Sequence, residues 1–421
     1  MGGGLTVGGS GARARRGGDI MSSECEVFKA AYLDACAKLE ATPIKLLEDK
    51  LDDAVASGDP RLDEIVLRGN AREMFSRRVL DVDLEAILAA LAACPDAMCP
   101  TLDLSWNDIT DVGIGKLAEF LKTDERIMRL DLSYNQMGEE GAKAMADMLN
   151  VNKRLFHLYL TGNKVGDLGG LALAQAVGGN STLRTAELGN MDLGHKTFTM
   201  LGISLKNENL NLSRLNLDRP ILFSCQEESI EHLAMGMRFN RSIQSLSMRN
   251  AGLRDRGCYL LCDNLCLNST LRELDLASNR LTEDAGISLC KLLSDNSSIQ
   301  RLNLANNELH DRGCEHISDA LGDYPNIMHL DLAYNGIMGY GLLKLVEALR
   351  RHNSLESLRL WGNELDPEST AALALLCEHL DTLQECDVLV QMVDHVPMPV
   401  KKQDAHTSRG ACNSSYFPGN V

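Results

Sequence analysis

The chain has 421 residues, 44% of them hydrophobic but only 4% aromatic, and a formal net charge of −17. So much apolar sequence can bury a large core, and leucine in place of aromatics suits a stack of small units better than a sandwich or barrel. The acidic excess repels nucleic-acid backbones and anionic membranes and favours a partner with a basic patch, although acidity also serves plain solubility.

In chain order, residues 1–22 form a glycine-rich leader with no apolar run able to act as a signal h-region. Residues 23–60 read as a helical N-terminal cap, because Phe28, Tyr32, Ala35, Cys36 and Leu39 recur at helical spacing. A repeat array needs such a cap, since an open end would expose its core. An early strand follows, with Leu62, Ile65 and Leu67 before an anchor at Asn70.

From there to residue 383 a 28-residue unit recurs. Its strand half reads Cys99, Leu102, Leu104, Asn107, Ile109, and then Ile127, Leu130, Leu132, Asn135, Met137. The asparagine anchors fall at Asn107, Asn135 and Asn163, and again at Asn279, Asn307, Asn335 and Asn363. Alternating apolar residues make a short strand with one face in the core. The Asn amide, both donor and acceptor, can satisfy backbone groups in the turn that leaves it, and stacked copies would form a ladder. The helical half repeats as well. A small residue (Gly113, Gly141, Gly169, Ala285, Gly313, Gly341) precedes apolar columns such as Leu117, Met145, Leu173, Leu261, Leu289, Ile317 and Leu345. Strand-plus-helix units of this length predict an α/β horseshoe solenoid, with a parallel sheet on the concave side and helices on the convex side.

Between residues 183 and 253 the strands persist, but Met191, Pro220 and Ala251 stand where the anchor belongs. Proline can neither donate from its backbone nor supply the amide. The ladder is therefore expected to break here, either as a surface feature used by a partner or as a degenerate stretch held by its neighbours. Residues 384–421 carry no repeat, include Pro397, Pro399, Lys401 and Lys402, and read as a tail draped over the last unit.

The repeat resembles the ribonuclease-inhibitor class of leucine-rich repeats over about residues 60–383. The string LNLDRPILFSCQEES from Leu215, RLWGNELDPEST from Arg359, the stretch Tyr32–Leu47 and the tail around Val388–Pro399 are similar to the leucine-rich repeat-containing protein 34 family. The glycine-rich leader and the polar last twenty residues depart from it. The resemblance implies a non-enzymatic protein of stem, germ and ciliated or flagellated cells, with cytoplasmic, axonemal or nucleolar associations.

No phosphate-binding loop, zincin motif, nucleophile elbow or EF-hand loop occurs in the sequence. Cys258, Cys262 and Cys266 recur every four residues, as metal ligands can, but the repeat register assigns the first two to the core as small hydrophobes. His310, Cys314 and His316 have ligand-like spacing, with Cys314 directed inward. The thirteen cysteines lack the spacing of a disulfide framework, so a reducing, intracellular compartment is expected. The sequons at Asn180, Asn268 and Asn296 read as one recurrent polar turn.

The partner-binding residues are expected on the outward positions of the strands. Asp103, Asp131, Tyr159, Asp275, Asp331 and Arg359 fall there, with Glu187, Asn216, Ser247 and Asn303 between them. Neighbouring strands lie about 4.8 Å apart, so carboxylates in this row repel one another and a basic segment would relieve them. Trp106, Tyr134, Tyr334 and Trp361 lie on or beside the same face, where aromatics anchor protein interfaces; packing over the next strand is the plainer role. The expected function is a non-catalytic binding scaffold for a protein. No cofactor, metal, small-molecule ligand, nucleic acid or membrane is expected as its direct ligand. The alternative is a GTPase-activating protein resembling the Ran activator, for which Arg72 is the candidate arginine, although the tail carries Lys401 and Lys402 and little acid.

Overall fold

The computed structural model describes residues 23–57, 61–74, 77–207, 210–221 and 227–402. The leader, the last nineteen residues and the 222–226 part of the irregular segment lie outside these described residues.

The N-terminal cap is a pair of helices, α1 (Glu24–Lys38) and α2 (Lys45–Ser57). Ser23 and Glu26 close a capping box at the start of α1. Cys25, Phe28, Tyr32, Ala35 and Cys36 form its buried face, and the Tyr32 hydroxyl accepts the Ile44 N–H at 2.9 Å to fix the link between the helices.

Strands and helices then alternate. The order is β1 (Glu64–Val66), α3 (Asp81–Ala93), β2 (Thr101–Asp103), α4 (Asp111–Leu121), β3 (Arg129–Asp131), α5 (Glu139–Val151), β4 (His157–Tyr159) and α6 (Gly166–Gly179). The irregular stretch gives β5 (Thr185–Glu187), α7 (His195–Ser204), β6 (Arg214–Asn216), α8 (Glu227–Phe239) and β7 (Ser245–Ser247). Regular units resume with α9 (Asp255–Leu265), β8 (Glu273–Asp275), α10 (Glu283–Asp295), β9 (Arg301–Asn303), α11 (His310–Leu321) and β10 (His329–Asp331). The end comprises α12 (Gly339–Leu349), β11 (Ser357–Arg359), α13 (Pro367–His379), β12 (Glu385–Cys386), β13 (Val388–Val393) and β14 (Val396–Lys401). The first twelve strands pair in chain order as one parallel sheet, and β13 and β14 form a separate antiparallel hairpin. The first eleven of these short parallel strands have a buried centre, such as Leu102, Leu130 and Leu158, and the predicted helical columns are buried opposite them. The fold is the expected α/β leucine-rich-repeat horseshoe.

The asparagine ladder exists in two runs. Asn135 Nδ2 donates to the carbonyls of Leu104 and Leu132, while its Oδ1 accepts the Ile109 N–H. Asn107 and Asn163 do the same one repeat away on either side. The ladder then stops, and backbone bonds such as Gly166 N–H to the Met191 carbonyl carry the turn. It restarts at Asn279, whose Oδ1 accepts from both Ala251 and Leu253. The expected break is therefore present. Asn70 differs from expectation: it is exposed, in the turn after β1, and Asn107 Oδ1 accepts instead from Val79, after an inserted turn.

Two further ladders are plain in the structure. Asn152, Asn180, Asn268 and Asn296 are buried where each helix exits, and each donates to carbonyls of the preceding unit. The three sequons thus sit on buried asparagines. On the opposite edge, a carboxylate at the start of one helix caps the next. Asp111 accepts from the N–H groups of Gly138 and Gly141, Asp167 from Gly194, Lys196 and Thr197, and Asp311 from Met338 and Gly341. In the irregular region the helices touch backbone to backbone, since a Cβ on Gly202 of α7 would overlap the His232 carbonyl of α8.

The start of the tail lies against α13, the helix of the last unit. Residues 388–401 are a regular hairpin, turned at Asp394 and His395, both with positive φ. This is the two-residue turn that suits strand twist.

Candidate functional site

Each of the first eleven strands buries its central residue, so the residues before and after it both face the concave side. The register aligns the later positions into one row: Asp103, Asp131, Tyr159, Glu187, Asn216, Ser247, Asp275, Asn303, Asp331 and Arg359. The row expected from the sequence is therefore continuous. Beside it runs a second row that the sequence reading missed, with Arg129, His157, Arg214, Arg301 and His329 among its members. Its signal lay two residues upstream in every unit, in the same 28-residue register.

The second row changes the electrostatics. Asp103 is almost fully buried, and its carboxylate takes Arg68 Nε at 2.6 Å along with the Ser105 hydroxyl and N–H. Asp103 is a committed structural anion rather than an open contact. Asp275 accepts Asn303 Nδ2 at 2.9 Å and lies 3.6 Å from Arg249. Arg129 donates to the Tyr159 hydroxyl at 2.7 Å with its guanidinium carbon 4.2 Å from that ring's centre. Burial pushes the carboxyls of Asp131, Glu187, Asp275 and Asp331 above the ordinary range; at Asp131 the Ser133 N–H opposes this while the Asp103 charge adds to it. Asp331 accepts the Ala333 N–H, and the cation of Arg359 on the next strand acts against its upward shift. Burial and nearby arginines push His157 down.

The aromatics occupy a special backbone slot. The residue before each ladder position is left-handed: φ is 63° at Trp106, 56° at Tyr134 and 55° at Tyr334, and glycines fill the same slot at Gly162 and Gly362. Trp106 and Tyr134 stack with ring centres 3.9 Å apart and planes 15° from parallel. The Tyr134 ring lies where a side chain on Gly162 would be, and the Tyr334 ring covers Gly362 in the same way. Both rings of the Trp106–Tyr134 stack are half-buried, and Tyr334 is 50% exposed. Trp361 is partly buried against the core, with its N–H on Asp387. The aromatics do not form one cleft. One pair sits in the turns that follow β2 and β3 and the other in the turns that follow β10 and β11, roughly 40 Å apart along the sheet at strand spacing.

The cysteine clusters are core. Cys258 and Cys262 are buried with their sulfurs 3.7 Å apart, and burial pushes the Cys314 thiol up to about 12. Among the described residues no group of three or more His, Cys, Asp or Glu is arranged to hold a metal ion, and no helix is long and apolar enough to cross a membrane. Arg72 is exposed in a short 3-10 turn after β1.

A family model described as leucine-rich repeat matches residues 101–118, 127–146, 152–174, 267–290 and 295–318. The gap in these matches falls on the stretch where the ladder breaks. The mouse leucine-rich repeat-containing protein 34 is 37% identical over 90 residues, covering 21% of this chain and 21% of the relative. The human protein of that name is 44% identical over 62 residues, covering 15% and 13%. The matches thus span about a fifth or less of these curated relatives. The solved yeast complex of Rad7 and Elc1 contains a chain of similar fold, with TM-score 0.51 and 15% identity over 85% of this chain and 87% of that one. Repeat register, sheet and family matches together show leucine-rich repeats in a horseshoe fold, similar over short stretches to leucine-rich repeat-containing protein 34.

Proposed function

We propose that this chain is a non-catalytic scaffold that captures a protein segment on the N-terminal half of its concave face. The observation that carries the proposal is the Trp106–Tyr134 stack. Two large rings are held half-exposed at left-handed backbone positions, each of which costs roughly 1–2 kcal/mol for a residue with a side chain. Other units fill the same left-handed slot with Asn, Ser, Arg or Gly, so the stacked pair of large rings is what sets this site apart, and rigid aromatics are the usual anchors of an interface. Asp131, desolvated and repelled by Asp103, lies at the end of the strand before Tyr134, so the segment carries a basic residue toward it. The similarity to leucine-rich repeat-containing protein 34 supports a place in a ciliary, axonemal or nucleolar assembly, in the cytoplasm or the nucleus.

The test is partner capture from ciliated cells with W106A/Y134A, beside Y334A/W361A as the distant control. The first pair is expected to lose capture while keeping the circular-dichroism melt. Undiminished capture by W106A/Y134A would remove the reading. Immunostaining decides the location, and absence from both axoneme and nucleolus ends that part of the proposal.

A further inference from the structure

The C-terminal hairpin departs from the rule that an exposed strand alternates apolar and polar residues. Its strands read VLVQMV and VPMPVK, which is apolar on both faces. Such runs belong to strands covered on both sides. One face, with Val388 buried and Val390 and Pro399 half-buried, packs against α13. The other consists of the cross-strand pairs Leu389–Val400, Gln391–Met398 and Val393–Val396. Its five apolar side chains are between 38% and 48% exposed. An isolated hairpin is marginal in water, and a contiguous aliphatic face of this kind marks an interaction surface.

We propose that this face joins two copies of the chain. A patch of aliphatic side chains around one glutamine can pack on a second copy of itself, as a two-fold interface requires. The charges at its ends set the direction. Asp394 lies at the turn, and Lys401 and Lys402 lie at the open end, all exposed. Antiparallel face-to-face packing sets Asp394 of each copy beside Lys401 and Lys402 of the other; parallel packing would set like beside like. Pairing through the edge of β14 is blocked. In a two-residue hairpin Val393 and Val396 exchange their backbone bonds, so the backbones of residues 397 and 399 point outward, and both are prolines without an N–H.

The area sets the strength. At residue areas of roughly 150–200 Å² these exposures amount to about 400 Å² per copy and about 800 Å² per pair, below the ~1,200 Å² of stable interfaces. The dimer is therefore weak and concentration-dependent.

Sedimentation equilibrium of the full chain from about 5 to about 300 µM tests this, with circular dichroism to confirm folding. V393D and M398D are each expected to raise the dissociation constant at least tenfold. D394K weakens association as well, and D394K combined with K401E/K402E restores it. The charge variants lie at exposed ends, so they remain informative even if an aspartate on the face disturbs the hairpin. A monomer throughout the range overturns the proposal and leaves the face to a different protein. A dimer indifferent to V393D and M398D overturns it by placing the interface elsewhere. Failure of the charge exchange to restore association overturns the antiparallel arrangement.

Discussion

Replacing Asn163 with methionine tests whether the ladder, rather than leucine packing alone, holds the strand-to-helix turns. Met191 is buried in the equivalent slot one unit later, so the substitution transplants a residue the fold already accepts. Asn163 is fully buried; its Nδ2 reaches the carbonyls of Leu132 and Leu160 at 2.9 and 2.7 Å, and its Oδ1 accepts the Met137 N–H at 3.1 Å. After substitution both carbonyls keep another donor, from Asn135 Nδ2 and from the backbone of residue 163. The Met137 N–H loses its side-chain acceptor. One orphaned buried donor costs roughly 1–3 kcal/mol, and two lost net bonds to carbonyls add about 0.5–1 kcal/mol each, so N163M should destabilise by about 2–5 kcal/mol. Repeat arrays do not always unfold in one step, so the assay pairs urea denaturation with native-state exchange of the Met137 amide. A loss below about 1 kcal/mol with unchanged Met137 protection would show that packing suffices and refute the argument. The reverse change, M191N, should not extend the ladder, because the turn there is already bonded through its backbone.

Two further predictions concern pH and capping. His352 takes the helix-exit slot that Asn296 fills two units earlier; it is buried, with Nε2 on the Tyr324 carbonyl and Nδ1 facing the Ser354 N–H. Burial pushes its pKa below 6.5, against a smaller upward effect of the Tyr324 carbonyl. A depressed folded value means the contribution to stability is complete above 6.5 and is lost as pH falls through the folded value. H352N should therefore flatten the melting-temperature profile below about pH 6.5, and an unchanged slope in thermal melts would count against it. Asp167 is held below the ordinary carboxylate range: burial alone would raise it, but the N–H groups of Thr197, Lys196 and Gly194 and the Thr197 hydroxyl outweigh burial. Its contribution is complete above 3.8 and is lost only as pH falls below that value. D167A should cost about 1–2 kcal/mol at neutral pH, as a lost helix cap does, and the gap to wild type should narrow in acid. Equal urea midpoints at pH 7 would reject the cap across units.

The fold was legible because the leucines and asparagines that build it recur at one interval, so the strand centres, the helical columns and the ladder's break could all be assigned. Asn70 shows the limit. It has the right flanking residues, yet the 37-residue interval to Asn107 admits an inserted turn that gives its place to Val79. The caps across units were hidden for a different reason. Asp111, Asp167 and Asp311 look like ordinary first-turn acids, and only the neighbouring unit reveals which N–H groups they satisfy. The hairpin escaped because it lies outside the repeat, and Pro397 and Pro399 read as breakers although they sit where an outer strand needs no N–H.

The concave face depends on lateral neighbours even more strongly, and this limits what its acidity can mean. Each carboxylate of the row is flanked by residues of the neighbouring units and lies beside a parallel row rich in arginine and histidine. Asp103 and Asp275 are partnered within the protein. A uniformly basic partner would meet Arg129, Arg214 and Arg301 as well as carboxylates, and like charges brought together across an interface are penalised. Net charge alone therefore cannot select the partner here. What remains is local: an aromatic stack in the turns after β2 and β3 beside Asp131, with glycine at residue 162 leaving room for the Tyr134 ring. A short segment carrying one cation and a flat or apolar side chain fits that combination, whereas a long polybasic strand running the length of the sheet does not.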